Sequence, residues 1–439
     1  MAELVVLGGA LLASPESPLR CGWGVRVEGG AVAGVGPNDD LHGGHPHAEV
    51  IDARHLLLMP GFVDAHMHAY GLLAHGIPAH DVPAGFHEFL SDFWWPCVED
   101  RLDETMIEAA MSLACHRMIR SGVTAFCDVL EAPNAPDGIL DVEADVVRRA
   151  GLRAVLTTEA SERIDTAHGD RLLAENARFI RAHRRNERIR GMLCLHTSFT
   201  CSESFVGRAR RMMEELGCDL HLHLSESAYE PAACLERFGV LPFLWYDRLG
   251  LWNGSVLVSQ AVAVDDVEIR CLAGHGVRVA HMPLSNCEVG GGVAPVPTMI
   301  AQGVRPGLGS DGYIDNPFEV MRAAFLIHKG VRKDPRVMSA EQVLHMATDW
   351  GSSAIGLPDC GTIAPGNRAD IIGIDLDLDT ALTPENALDQ LILHRNPEDV
   401  EMTMVEGEIL MRDGEVLTLD ENDVRRNAKE QARRLWGRL

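Results

Sequence analysis

The rhythm of apolar and polar positions along the chain changes twice. From residue 1 to about 56, short apolar runs at 3–8, 24–27 and 31–35 are cut by Gly, Pro and Asn turns, the pattern of a small β module. From residue 57 the rhythm becomes strand, loop, helix, repeated. Apolar runs at 57–68, 123–129, 152–158, 191–196, 219–224, 256–262, 277–281 and 304–309 are short enough to be strands. Helical periodicity occupies 103–121, 139–150, 169–185, 204–216, 232–249 and 267–275 between them, then 318–330 and 340–355. Gly122, Gly151, Gly217 and Gly276 stand where four of these helices stop. Beyond Gly361 short strands return at 370–374, 400–405 and 408–411, and 421–435 reads as a charged surface helix.

Eight strands alternating with helices predict an α/β fold, a (β/α)8 barrel of the TIM type. The two terminal segments then join in one small β-sandwich beside it. Residues 1–56 form its N-terminal part, 57–360 the barrel, and 361–439 its C-terminal part with the terminal helix.

Composition narrows the function classes. A formal charge of −25 argues against nucleic acid or an anionic membrane as the partner, since both would be repelled. The eleven cysteines are scattered and never form Cys-x-x-Cys, which suits reduced thiols and a cytoplasmic location better than a disulfide framework. The apolar start, Leu4 to Ala13, lacks a basic flank and holds a Gly-Gly turn, so it reads as a hairpin and not a leader. No apolar run is long enough to span a membrane.

The candidate chemistry sits at strand ends. In Met59-Pro60-Gly61-Phe62-Val63-Asp64-Ala65-His66-Met67-His68, the two histidines fall on one face of a strand led in by Leu56-Leu57-Leu58, because side chains alternate with period two. In Asp219-Leu220-His221-Leu222-His223-Leu224-Ser225-Glu226, His223 lies nearer the C-terminal mouth and reads as a ligand, whereas His221 reads as a polar layer inside the barrel. The eighth strand ends Gly307-Leu308-Gly309-Ser310-Asp311-Gly312, with small residues that let a carboxylate approach a metal. Three imidazoles and one carboxylate suit Zn2+ or Fe2+, with an open position for a water whose pKa the metal lowers.

These segments, together with His281-x-Pro283-x-Ser285-Asn286 and residues 361–370, resemble the metal-dependent amidohydrolase superfamily. The similarity is closest to its aminohydrolase branch, which holds adenosylhomocysteine and methylthioadenosine deaminases, guanine deaminases and triazine hydrolases. The resemblance implies one metal on His66, His68, His223 and Asp311. It also implies that Glu226 handles a proton at the substrate's ring nitrogen and that Asp311 moves one from the attacking water to the leaving group. His196 matches a substrate-contacting histidine, with a capped core histidine as the alternative. Asn286 belongs to a motif at the substrate side, and a dimer or tetramer is implied as well. Dinuclear members bridge their metals through a carboxylated barrel lysine; the only lysines here are Lys329, Lys333 and Lys429, after the eighth strand, which excludes that arrangement.

One position departs from the branch. Gln260 stands where a histidine usually ends the sixth strand, and glutamine cannot carry a proton at pH 7. Gln260 orients the water, or His281 partly replaces the missing imidazole, or the chain is a non-catalytic relative that binds metal and ligand. The long loop after the first strand carries His75, His80, Asp81, His87, Phe93, Trp94 and Trp95; the tryptophans either stack on a flat ring or pack a helix beneath the loop. Glu131 and Asn134 follow the second strand and can face the pocket, whereas Cys127 and Cys287 are bystanders. The expected activity is hydrolytic deamination of a small nitrogen heterocycle (purine, pterin, pyrimidine or triazine) with release of ammonia. Dechlorination or N-dealkylation of a triazine-like ring is the alternative.

Overall fold

The structure, a computed structural model, describes residues 3–78 and 83–437. Eight parallel strand positions form the barrel: Phe62–Met67, Val123–Leu130, Arg153–Thr158, the broken pair Ile189–Gly191 and Leu193–Leu195, Leu220–Leu224, Val256–Gln260, Arg278–His281 and Gly307–Leu308. Each pairs with the next in chain order. Two single bridges close the remaining seams, Ala160 with Leu195 and Met67 with Asp311. Val63, Ala65, Ala125, Cys127, Val155, Met192, Leu257 and Ala280 fill the interior, so the barrel is a packed core and not a pore.

The last strand closes the barrel through its glycines. A Cβ on Gly309 would lie 2.7 Å from the carbonyl oxygen of His66, and one on Gly307 would lie 2.8 Å from Cβ of Ala65. Glycine there lets the eighth strand close against the first, which brings Asp311 N within 3.0 Å of His66 O. The small residues thus serve closure, and the approach of the carboxylate follows from it.

Both chain termini build one continuous nine-stranded sheet, in the order Glu415–Val416, Glu408–Arg412, Val400–Val405, Ile371–Asp375, Glu49–Pro60, Leu4–Leu11, Trp23–Glu28, Ala31–Pro37, with Arg20–Cys21 beside Leu4–Leu11. Leu4, Val6 and Val25 from one half share an apolar cluster with Ile371, Met402 and Met404 from the other. Leu56-Leu57-Leu58 belong to this sheet, paired with Ile371–Asp375, and do not open the first barrel strand as expected. The barrel strand starts at Phe62, with Gly61 alone between it and Pro60.

Other boundaries shift where the backbone turns left-handed. The helix expected over 232–249 divides into Tyr229–Phe238 and Pro242–Arg248, because Gly239 (φ +74°) ends the first and Pro242 starts the second. The sixth strand ends at Gln260, where φ is +71°. The loop after the first strand is largely helical, with a 3-10 turn Ala69–Ala74 and consecutive helical turns from Phe86 to Cys97. The closing helix, Glu421–Trp436, buries Val424, Ala428 and Leu435, and Trp436 Nε1 donates to Leu73 O at 2.9 Å, bracing that loop. Among the described residues, no helix is long and apolar enough to cross a membrane.

Candidate active site

The C-terminal strand ends open on a cavity of about 480 Å³, a size usual for small-molecule sites. At its floor four of the expected side chains converge. Nε2 of His68 lies 3.3 Å from Nε2 of His223 and 3.3 Å from Oδ1 of Asp311. Nε2 of His66 lies 3.7 Å from the same carboxylate oxygen. His68 donates its Nδ1–H to Val129 O at 2.7 Å, which leaves a lone pair on Nε2 directed at the cluster. The buried Nε2 of His66 has no hydrogen-bond partner. Burial lowers the pKa of both His66 and His223, favouring the neutral form that ligates metals.

The unpartnered Nε2 of His66 and the lone pair of His68 Nε2 both face the Asp311 carboxylate, an arrangement that a divalent cation among them would stabilise. The donor set therefore fits a metal: His66, His68 and His223 can hold an ion together, and Asp311 adds an oxygen. His221 takes the structural part expected of it, its Nε2 lying 2.8 Å from Nδ1 of His66, where it fixes that ring. The three lysines lie on or after helix Pro317–Arg332 and on Glu421–Trp436, away from the barrel strands.

The backbone around the floor is strained. Ser225 (φ +50°), Gln260 (φ +71°), Ala261 (φ +47°) and Asp311 (φ +60°) are all left-handed without being glycine. Such conformations persist only where surrounding contacts hold them, and they gather at functional sites. Those contacts are visible at Asp311. Gln260 Nε2 and Ser285 Oγ each donate to its Oδ2 at 2.8 Å, leaving Oδ1 to face His66 and His68. Oε1 of Gln260 lacks a partner.

Glu226 lines the cavity, and burial, with Asp311 and Glu230 nearby, pushes its carboxyl well above the ordinary range. Trp94, Trp95 and His196 line it too. Trp94 lies parallel to Phe89 at 6.0 Å, whereas Trp95 sets its edge to His196 at 6.1 Å with the Arg163 guanidinium 4.9 Å from its ring. Trp94 thus packs within the loop and Trp95 against His196 and Arg163 outside it, and both line the cavity as well. Burial lowers His196 to about 4, so it is a neutral imidazole at pH 7.

Two expectations fail. His281 does not replace the missing histidine: its Nε2 turns to Nε2 of His328 at 3.1 Å, on the outer side, and it is not part of the cavity lining. Asn286 is fully buried and also outside the lining; its neighbour Ser285 faces the cavity in its place. Asn134 is exposed and donates to Asp100 O. Cys127 is buried in the barrel and Cys287 lies outside the cavity lining, as bystanders would. His80 and Asp81 lie outside the described residues.

Sequence reasoning missed Glu99, Glu159 and Tyr70, which line the cavity beside Glu131. Glu159 reaches Nδ1 of His223 (3.3 Å) and Nε2 of His196 (3.5 Å). Its position repeats that of Glu131, each being the residue that follows a strand end, and this repetition was the available signal.

A barrel with a histidine–carboxylate cluster at its C-terminal mouth and a sheet built from both termini defines a metal-dependent hydrolase. The sequence matches the profile of the Amidohydrolase family over residues 57–410, and the chain belongs to that family. It is 35% identical to a 5-methylthioadenosine/S-adenosylhomocysteine deaminase of Desulforudis audaxviator over 421 residues, 94% of each chain. It is 32% identical to a 5'-deoxyadenosine deaminase of Methanocaldococcus jannaschii, covering 92% of this chain and 95% of the other. The structure superposes with a TM-score of 0.90 on a zinc-bound adenosine deaminase from Xanthomonas campestris, at 25% identity and over 99% and 98% of the two chains. The chain is a hydrolase of non-peptide C–N bonds, of the type that deaminates heterocycles.

Proposed function

We propose that the substrate is an adenine nucleoside of the 5'-deoxyadenosine kind and that His66, His68, His223 and Asp311 hold one zinc ion. The observation that carries this reading is the position of Glu226, whose raised carboxyl shares one aromatic-walled cavity with the histidine–Asp311 cluster. The nitrogen-rich donor set supports zinc, and Fe2+ shares the same preference. When bound, the cation supplies the Lewis acidity that makes a water nucleophilic near neutral pH.

The chain's own residues then divide the proton work. Glu226, held protonated by burial, gives its proton to the ring nitrogen next to the amine-bearing carbon and so makes that carbon electrophilic. Asp311 accepts a proton from the attacking water and delivers it to the departing amine. The C–N bond breaks, ammonia leaves, and Glu226 recovers its proton as the ring carbonyl forms. Gln260 and Ser285 orient Asp311, and the unpartnered Oε1 of Gln260 accepts from the water or the amine. His196 and the Trp94–Trp95 pair position the ring. The eleven unpaired cysteines support a reducing, cytoplasmic setting, and the family resemblance supports a homodimer or homotetramer.

The test is ammonia release from 5'-deoxyadenosine by zinc-loaded protein. Turnover that disappears on chelation and in His223→Ala or Asp311→Asn is expected. Full activity in either variant would sink the site assignment.

A further inference from the structure

A second glutamate, Glu230, lies behind the cavity and outside its lining, yet it bears on how Glu226 is presented. Among the described residues none hydrogen-bonds the Glu226 carboxyl, so the backbone that carries it sets its place in the cavity. That backbone is tightly held. Ser225, the residue before, is left-handed at φ +50°, and a Cβ on Gly291 would lie 2.4 Å from Glu226 O. A left-handed serine persists only where its neighbours hold it.

Glu230 is that neighbour. It sits in the first turn of helix Tyr229–Phe238, where an acidic side chain ordinarily complements the helix dipole from the water side. Here it turns inward and is 2% exposed. Its Oε1 accepts from Ser198 N at 2.8 Å and from Ser198 Oγ at 2.6 Å, and its Oε2 accepts from Ser225 N. Ser198 follows the fourth barrel strand and Ser225 the fifth, so one carboxylate ties two strand ends together. The tie reaches a third: Ser225 O accepts from Val262 N at 3.0 Å and Ala263 N at 2.8 Å, just beyond Gln260.

A helix start needs no buried carboxylate, and burying one is costly unless donors surround it. Burial works against the charge of Glu230, and the donors from Ser198 and Ser225 favour it. All of those donors lie at the barrel mouth. We propose that Glu230 is a positioning residue for the deamination: by holding Ser225 in its left-handed turn, it aims Glu226 at the substrate ring. This rests on the reading above, in which Glu226 protonates the ring nitrogen.

Glu230→Gln tests the proposal, because the amide oxygen can still accept from Ser198 while the amide nitrogen, a donor, meets the N–H of Ser225. With zinc-loaded protein and 5'-deoxyadenosine, kcat is expected to fall about 10–100-fold, with KM within about threefold of the unmodified value. Glu226→Gln should lose at least as much, and the Glu226→Gln/Glu230→Gln double variant should be no slower than Glu226→Gln alone. A purely structural part for Glu230 would instead slow the double variant further. An unchanged kcat in Glu230→Gln, or additive losses in the double variant, would overturn the positioning role and leave the role of Glu226 standing. Full activity in Glu226→Gln would bring down both. If Glu230→Gln does not fold, Ser198→Ala decides: loss of one donor should lower kcat about threefold at unchanged KM, and no change overturns the proposal. If the unmodified protein releases no ammonia from 5'-deoxyadenosine, the substrate reading falls and crystal structures of the two zinc-loaded proteins decide. A Glu226 displaced in Glu230→Gln supports the positioning role, and a Glu226 unmoved overturns it.

Discussion

At the scale of single residues, the chemistry turns on how Asp311 is aimed. Its Oδ2 is held from two sides, by Gln260 and Ser285, each at 2.8 Å. A neutral amide therefore does by geometry what a histidine would do there by geometry and charge together. Losing such an orienting partner typically costs about 10–100-fold in activity or metal affinity. Gln260→Ala is expected to lower kcat by that factor with KM nearly unchanged, and Ser285→Ala should act in the same direction; metal content and steady-state kinetics measure both. An unaffected kcat in both variants would show that Asp311 needs no orientation beyond its own strained backbone. Of the four side chains at the cavity floor, the three histidines were legible in sequence because strand parity puts His66 with His68 and His221 with His223 on shared faces, and Asp311 because it ends the small-residue run of the eighth strand. Glu159 was not, since its partners Glu131, His196 and His223 lie on three other strand ends and only closure of the barrel brings them together.

At the scale of elements, the strand Val123–Leu130 and the helix Ile139–Ala150 share a buried carboxyl pair that supports the site from outside. Asp128 Oδ1 accepts from Ala69 N at 2.7 Å, which fixes the chain as it leaves His68, while Asp128 Oδ2 and Glu143 Oε2 are both buried without a hydrogen-bond partner. Burial raises Asp128 to about 7, and burial together with the charge of Asp128 raises Glu143 further above its ordinary range. Unfolded carboxyls titrate at about 4, so the folded pair holds protons that the unfolded chain releases. Its stabilising contribution is complete below about pH 4 and is lost as the pH rises through the raised folded values. Between pH 5 and 8 the denaturation midpoint of the unmodified protein should therefore fall more steeply than that of the Asp128→Asn/Glu143→Gln double variant. Parallel slopes would show that the pair does not carry a shared proton. The elements themselves were readable where apolar runs were continuous. The strand Glu49–Pro60 was missed because its first half alternates exposed Glu49, Asp52 and Arg54 with buried Ile51 and Ala53, while its second half reads like a barrel lead-in.

At the scale of the molecule, sheet and barrel are one mechanical body. Gly61 alone separates the sheet strand ending at Pro60 from the barrel strand carrying His66, and a Cβ there would meet the Thr124 side chain at 2.2 Å. A buried ion network adds a second tie. Arg153, on the third barrel strand, reaches Asp370 at 3.0 Å and Glu406 at 3.1 Å, both from the C-terminal segment, and Arg153 and Asp370 are 1% exposed. Removing one member of such a network leaves the others buried and uncompensated, at a cost of about 3–5 kcal/mol. In Arg153→Leu, unfolding by urea is expected to move by that amount and to remain one transition, followed through Trp23 in the sheet and through far-ultraviolet dichroism, which reports chiefly the barrel helices. Coincident curves mean that the His66–His68 arrangement cannot survive loss of the sheet, because the same strand run supplies both. Two separated transitions would mean that the Gly61 junction transmits little, and that the sheet could be lost while His66 and His68 stay in place.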